Sequence, residues 1–291
     1  MTPDPEFASL VPAQSFTRRS FMVTSLGAGF ALAVQPVMAQ TAIRTDDAGL
    51  LAGEIKVPVS DGEMVAYRAV PKGAVKPPVI LVVSEIFGAH EYIRDVCRRL
   101  ARLGYCAIAP ELFARLGDPR QLAGVADILA RITSRTPDAQ VMSDLDATVA
   151  WAKGKGADTD RLGITGFCWG GRITWLYCAH NPQVKAGVAW YGRLVGEVSE
   201  MTPRHPIDVT GSLLAPVLGL YGGLDTGIPL ESVEAMEKAL QSGSAAARKS
   251  EIQVYDNAPH AFHADYRPSF RKEDAEDGWR RMLAWFATMK A

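Results

Sequence analysis

The 291-residue chain has almost no net charge, and this absence already limits what it can bind. Basic and acidic residues number 31 and 32, so the sequence carries neither a nucleic-acid footprint nor an acidic tail. No HExxH, HxH or Cys/His cluster predicts a metal site. Internal repeats and low-complexity inserts are absent as well. We therefore expect a small-molecule partner, no nucleic acid and no cofactor.

Cysteine is scarce, with four residues at Cys97, Cys106, Cys168 and Cys178. No CxxC spacing occurs, and a chain of this size needs no disulfide to hold its core, so we expect free thiols. Cys178 follows Cys168 by ten residues on one predicted helix, about 15 Å away at ~1.5 Å per residue. That distance is too long for a disulfide. A thiol-redox protein is therefore disfavoured.

Long apolar runs are missing, except for one near the N-terminus. Arg18 and Arg19 precede an uncharged run over residues 21–38, which closes with the small residue Ala39. A charged region, an apolar region and a small-residue end are typical of a cleaved secretory signal, and the paired arginines resemble a Tat signal.

The alternative for this run is a retained membrane anchor. Gly27, Gly29 and Pro36 make it a poor spanning helix for a ~30 Å hydrocarbon core. We predict a twin-arginine signal peptide over 1–39, a linker over 40–52 and a periplasmic or other extracytoplasmic location. The precursor would engage the Tat export machinery, and the mature protein would have no stable membrane association.

Beyond the linker, strands alternate with helices. The predicted strands are 53–59, 63–70, 78–83, 105–109, 161–166, 184–190, 216–221 and 252–255; the predicted helices are 91–103, 118–135, 138–153, 169–179, 229–241 and 269–289. This alternation is typical of βαβ units and a mostly parallel sheet with helices on both faces. We predict one α/β domain over 53–291.

The segment Gly166-Phe167-Cys168-Trp169-Gly170-Gly171 lies between a predicted strand and a predicted helix. It matches the nucleophile elbow of α/β-hydrolases, G-x-Nu-x-G, with cysteine as the nucleophile. Small residues on both sides let strand and helix approach, and the turn presents the sulfur beside the positive end of the helix. The alternative is a core cysteine in a glycine-rich turn. The surrounding strand, helix and third glycine favour the elbow.

A nucleophile elbow requires an acid and then a histidine on later strand ends. Asp225 follows a buried strand and a Gly-Gly turn, and His260 follows the last strand. Asp256 is the rival acid, but it belongs to the strand that carries the histidine itself. We therefore predict a Cys168–His260–Asp225 triad, in which His260 takes the thiol proton and Asp225 orients the imidazolium.

Four segments resemble the dienelactone hydrolase (carboxymethylenebutenolidase) family. They are residues 84–88 (SEIFG), 110–115 (PELFAR), 166–171 (GFCWGG) and 260–266 (HAFHADY), and the similarity extends over about residues 50–290. The resemblance implies an α/β-hydrolase fold and hydrolysis of an ester or lactone through an acyl-enzyme. The alternative is a non-catalytic or thiol-redox binding protein on the same scaffold, but no member of the triad is missing.

The resemblance also implies residues that the triad alone does not predict. Glu85 matches a family glutamate beside the resting cysteine, where a carboxylate disfavours the thiolate and accepts the S–H hydrogen bond until substrate binding moves it. The backbone N–H groups of Ile86 and Trp169 match the positions of an oxyanion hole.

For the substrate, Arg115 matches the first of two family arginines that bind a carboxylate. The alternative is that Arg115 is a solvated loop residue or pairs with an acid such as Glu111. The second family position, just after the histidine, holds no arginine here, and Arg267 is the nearest candidate. Phe87, Tyr191 and His263 complete the predicted lining. Export is a further departure from the family pattern, because chlorocatechol breakdown is cytoplasmic.

Overall fold

A computed structural model describes residues 42–289. The strands of this part of the chain form one eight-stranded sheet. The strands are β1 Leu50–Val59, β2 Gly62–Pro71, β3 Pro78–Val83, β4 Cys106–Pro110, β5 Asp158–Phe167, β6 Val184–Trp190, β7 Val217–Gly222 and β8 Glu251–Tyr255. Their order is β1-β2-β4-β3-β5-β6-β7-β8. The two pairings that involve β2 are antiparallel, and the rest are parallel. The predicted mostly parallel α/β sheet is confirmed.

Within residues 42–289, six α-helices lie between or after these strands and cover the sheet. They are α1 Glu91–Arg102, α2 Val125–Arg131, α3 Asp138–Gly154, α4 Trp169–His180, α5 Leu230–Ser242 and α6 Lys272–Phe286. Helix α4 packs on β5 and β6 beside α3, whereas α1 packs on β2 and β4. Arg99 of α1 lies over the Trp279 ring of α6, so these two helices are neighbours. Among residues 42–289, no helix is long and apolar enough to span a membrane.

The core lies around the central parallel strands. Residues 79–83 of β3 are fully buried, and β6 and β7 are nearly so. Continuous apolar strands of this kind are expected where helices cover both faces of a parallel sheet. Because the strands run in parallel, the carboxyl ends of β3, β5, β6 and β7 meet at one edge of the sheet. The candidate residues follow these ends.

Two helices are shorter than the sequence predicted. The predicted helix 118–135 is α2 flanked by short 3₁₀ turns, because Gly124 is fully extended and separates them. Residues 261–271 form successive turns, so α6 begins at Lys272 rather than 269.

The N-terminal boundaries also differ. Strand β1 begins at Leu50, inside the stretch predicted as a linker. Residues 1–39, predicted as the signal peptide, lie outside the described residues.

Candidate active site

Cys168 occupies the sharp turn between β5 and α4. Its φ of 54° is positive, a conformation that side-chain-bearing residues rarely adopt. A Cβ on Gly166 would lie 2.1 Å from the Gly170 carbonyl oxygen, and one on Gly170 would lie 2.3 Å from the Val83 oxygen. Any side chain at either glycine would push β5, α4 and β3 apart. The glycines are therefore required for the close approach that the motif predicted.

His260 and Asp225 meet at the same edge of the sheet. The Nδ1 atom of His260 lies 2.6 Å from Oδ2 of Asp225, and both side chains are buried. Asp225 is held in a turn after β7, where its carboxylate also accepts from the Gly227 amide. Asp256, the rival acid, is exposed. The structure thus pairs the predicted histidine with the preferred aspartate.

The charge state of His260 is set by its two polar neighbours. Burial alone would lower the pKa of His260, but Asp225 and Cys168 together raise it well above its ordinary value. The other ring nitrogen, Nε2, is buried without a hydrogen bond of standard geometry among residues 42–289. A histidine with a raised pKa is well suited to accept the proton of a neighbouring thiol.

The remaining cysteines lie in a different environment. Burial raises the pKa of the Cys97 and Cys178 thiols strongly, and that of Cys106 to about 11. These three are therefore protonated, unreactive core thiols at neutral pH.

The two backbone amides predicted to form an oxyanion hole, those of Ile86 and Trp169, follow β3 and β5 respectively. Trp169 is the first residue of α4, so no helix carbonyl can accept its N–H. Ile86 is buried just after β3, the strand that pairs with β5 up to Gly166. Neither amide donates to a protein acceptor within the part of the chain that the structure describes.

Glu85 is buried at the end of β3 and is held by two side chains. Its Oε2 atom lies 3.1 Å from Nε2 of His90, and its Oε1 accepts from the Tyr266 hydroxyl at 3.5 Å. Neither partner was predicted from the sequence. The position of His90 five residues after Glu85, on the same short loop, was the available signal.

Arg267 joins the cluster formed by Glu85, His90 and Tyr266. Its guanidinium lies 5.2 Å from the centre of the Phe87 ring, and its Nε donates to the Tyr266 hydroxyl. Interactions with Tyr266, Glu85 and Cys168 raise its pKa although burial opposes this. Its Nη2 atom is buried without a partner among residues 42–289.

Tyr191 joins the cluster beside His260, with ring centres 5.1 Å apart. It is fully buried in a positive-φ conformation at the end of β6. Burial, reinforced by the charge of Glu85, raises the pKa of its hydroxyl. Phe87, Tyr191 and Arg267 thus lie near the triad, and their role in lining a substrate pocket stays a prediction.

Arg115 has other partners. Its guanidinium donates to both carboxylate oxygens of Asp61 and to both of Asp144. These two carboxylates neutralise the charge of Arg115 and accept from the N–H groups that would otherwise bind a substrate carboxylate. The contacts of Arg115 therefore do not support its predicted role in substrate binding. They indicate a tie between the β1–β2 turn and α3.

His263 faces α1 rather than the triad. Its Nδ1 lies 2.6 Å from the Tyr92 hydroxyl, and its ring stacks on Phe167 and Trp279. Its outer side borders a cavity of about 520 Å³ between α1 and α6, which also includes Arg99. These contacts do not support the predicted role of His263 in lining the substrate pocket.

No group of three or more metal-ligating side chains occurs within the described ranges. The site is an arrangement of a thiol, an imidazole, carboxylates and a guanidinium.

Comparisons with known proteins agree with one another. Residues 64–290 match the model of the dienelactone hydrolase family. A provisionally named carboxymethylenebutenolidase of Methylorubrum extorquens is 60% identical over 284 residues, covering 97% of each chain. A provisionally named 2-oxo-3-(5-oxofuran-2-ylidene)propanoate lactonase of Bradyrhizobium is 30% identical and covers 76% of this chain and 88% of its own. The crystal structure of a provisionally named dienelactone hydrolase of Klebsiella pneumoniae has a TM-score of 0.80 at 55% identity, covering 82% of this chain and 99% of that one.

Proposed function

The chain belongs to the dienelactone hydrolase family, and we propose from this membership that it hydrolyses an ester or lactone with Cys168 as the nucleophile. The observation that carries the proposal is the pairing of His260 with Asp225 beside the strained turn of Cys168. A buried imidazole fixed by a carboxylate on one side and adjacent to a thiol on the other has the parts of a nucleophilic triad.

In the proposed reaction, His260 holds the proton of the Cys168 thiol, and the thiolate attacks the carbonyl carbon. The resulting C–S bond forms as the carbonyl oxygen becomes an oxyanion. Collapse of this intermediate breaks the bond to the alkoxy oxygen, which leaves with the proton from His260. A water molecule, deprotonated by His260, then cleaves the thioester and releases the acid. In a lactone, the alcohol and the acid remain in one molecule.

The amides of Ile86 and Trp169 would bind the oxyanion. Both are available as donors, and that of Trp169 also carries the partial positive charge of the α4 N-terminus. In a buried site, removing one such donor typically costs about 10²–10³ in rate.

The substrate class follows from Arg267. A buried guanidinium with an unused donor, close to the nucleophile, is costly unless an acceptor arrives with the substrate. We propose a substrate that carries a carboxylate in addition to the scissile ester or lactone group, and that Arg267 binds this carboxylate. The Bradyrhizobium relative is named for a lactone with such a propanoate group, which supports this choice.

Glu85 would restrain the thiolate in the empty site. Its charge disfavours a second anion nearby, and His90 and Tyr266 hold it in the cluster. A bound carboxylate at Arg267 would compete with Glu85 for the same positive charge, which gives the substrate a means of displacing it.

The test of the proposed function is turnover of a panel of aryl esters and carboxylate-bearing lactones by the protein without residues 1–39. Cys168→Ala serves as the blank. Hydrolysis by the wild type and its loss in the blank would support the proposal. Equal rates in both would reject it.

We also propose Tat export to an extracytoplasmic location. The support is the paired Arg18 and Arg19 before the uncharged run over 21–38, with small residues at its end.

A further inference from the structure

The loop of residues 260–267 carries a proposed functional residue at each end. His260 pairs with Asp225 at its start, and Arg267 reaches the cluster around Cys168 at its end. The backbone hydrogen bonds of residues 261–267 stay within the loop and the turn after it: Ala264 donates to Ala261, Arg267 to Ala264, and Arg271 to Phe262. The loop is therefore folded on itself, and its side chains must fix it against the rest of the protein.

Two side chains between these ends are anchored on α1. His263 lies 2.6 Å from the Tyr92 hydroxyl, and Asp265 accepts from Arg99 at 2.5 Å. Tyr92 and Arg99 are seven residues apart, two helical turns, so they project from one face of α1. Because all four side chains are largely buried, these bonds form away from water and their geometry is well constrained.

Asp265 has a further partner at the N-terminal end of the described chain. Its carboxylate also accepts from the backbone N–H of Ile43. The next residues are tied to α1 as well, since Thr45 donates to Asp95 and its carbonyl accepts from Arg98. The loop, α1 and the stretch before β1 thus form one bonded unit.

We propose that Tyr92 and Arg99, acting through His263 and Asp265, are positioning residues that hold His260 and Arg267 at the nucleophile. We call the side chains of these four residues, Tyr92, Arg99, His263 and Asp265, the α1 latch. None of them carries the reaction in the proposed mechanism. Their effect is on the placement of two groups that do, and a displacement of about 1 Å in such groups can cost a hundredfold in rate. The inference rests on the proposed function for its catalytic consequence, but the ordering of the loop can be measured without it.

The test begins with Tyr92→Phe, which removes only the hydroxyl. We expect kcat to fall about fivefold to tenfold, the loss typical of one buried hydrogen bond. The loss in kcat/KM should be larger for a carboxylate-bearing ester than for a neutral one, because Arg267 is displaced together with His260. The matched control is Tyr177→Phe. Tyr177 is also buried, and its hydroxyl donates to Asp146 at 2.8 Å, but Tyr177 lies on α4 and Asp146 on α3. Tyr177→Phe should leave kcat unchanged.

A double-mutant cycle separates positioning from a general loss of packing. His263→Leu should resemble Tyr92→Phe, and the double variant should be no slower than the slower single one, because both remove the same bond. His263→Asn restores a polar atom near Nδ1 and should recover most of the activity. Additive losses, or no recovery with asparagine, would overturn the proposal.

Hydrogen–deuterium exchange tests the latch independently of turnover. Amides of residues 261–267 should exchange about fivefold faster in Tyr92→Phe than in the wild type, and at the wild-type rate in Tyr177→Phe. Unchanged exchange in Tyr92→Phe would overturn the latch. If the wild type hydrolyses no ester but Tyr92→Phe loosens the loop, the proposed function fails while the latch stands.

Discussion

His260 and Asp225 are separated by 35 residues and follow different strands, yet their side chains are 2.6 Å apart and nearly excluded from solvent. Strands β7 and β8 pair in parallel, so the segments that follow them begin at the same edge of the sheet. This arrangement brings Asp225 and His260 together. The role of this pair can be tested separately from that of Cys168.

Asp225→Asn should lower kcat by about two to four orders of magnitude, because the amide favours the wrong imidazole tautomer. Asp256→Asn is the matched control, since Asp256 is exposed and follows the neighbouring strand. Steady-state kinetics on one activated ester measures both. A larger loss at Asp256 would transfer the acid role to that residue.

Cys168→Ala should lower turnover at least about a thousandfold while retaining the circular dichroism and melting temperature of a folded protein. Alanine keeps the Cβ that the turn already accommodates. In the wild type, iodoacetamide should modify Cys168 before the three core cysteines, whose pKa values are raised by burial. Mass spectrometry of the digested protein reports the order. Near-normal turnover of the folded variant would remove cysteine from the mechanism.

Arg267→Gln should lower kcat/KM by about one to two decades for carboxylate-bearing esters, the value of a lost charge-assisted hydrogen bond. Matched neutral esters should change little. Arg115→Gln is the control, because its guanidinium is bound to Asp61 and Asp144. It should affect both substrates alike. A loss selective for anions at Arg115 would reverse the assignment of the two arginines.

Stability should decline in mild acid because of His263. Burial, and then the charge of Arg99, hold its pKa well below the ordinary value of 6.5. Below pH 6.5 the unfolded chain therefore binds a proton at His263 that the folded chain does not bind. This difference lowers the free energy of unfolding by up to ~1.4 kcal/mol per pH unit. Urea unfolding between pH 7 and 5 should show a steeper decline for the wild type than for His263→Asn. Parallel curves would contradict this.

Replacing Arg18 and Arg19 by lysine should keep the precursor in the cytoplasm, because the Tat route reads the arginine pair. Fractionation of cells and the apparent mass of the product measure the outcome. A variant with lysine substitutions at Arg131 and Arg135, outside the leader, is the control. Efficient export of the leader variant would reject the Tat route.

Much of the fold was predictable because its signals are local. The apolar run of β3 and the helical period of α1 were predicted within one residue of their observed bounds. The glycines of the elbow indicate a steric requirement that any structure must satisfy. The boundaries of α2 were missed, since a single extended glycine interrupts a pattern that is otherwise helical.

The substrate side of the site was harder to predict, because it depends on distant pairs. A loop arginine that follows Leu-Phe-Ala suggests a ligand contact, but Arg115 meets Asp61 and Asp144, 54 and 29 residues away. Likewise, no local pattern links His263 to Tyr92 across 171 residues. Sequence periodicity predicts which side of a helix or strand is buried. Which distant residue a side chain contacts depends on how all the elements pack together.

The burial of the proposed nucleophile has a consequence for kinetics. Cys168 is fully buried, and His260 and Glu85 are 1% exposed, so the described conformation has no open path from solvent to the sulfur. Each turnover must therefore include an opening of the surrounding side chains or loops, a movement that works against solvent friction. For the best substrates, kcat/KM should fall as glycerol or sucrose raises the viscosity of the medium.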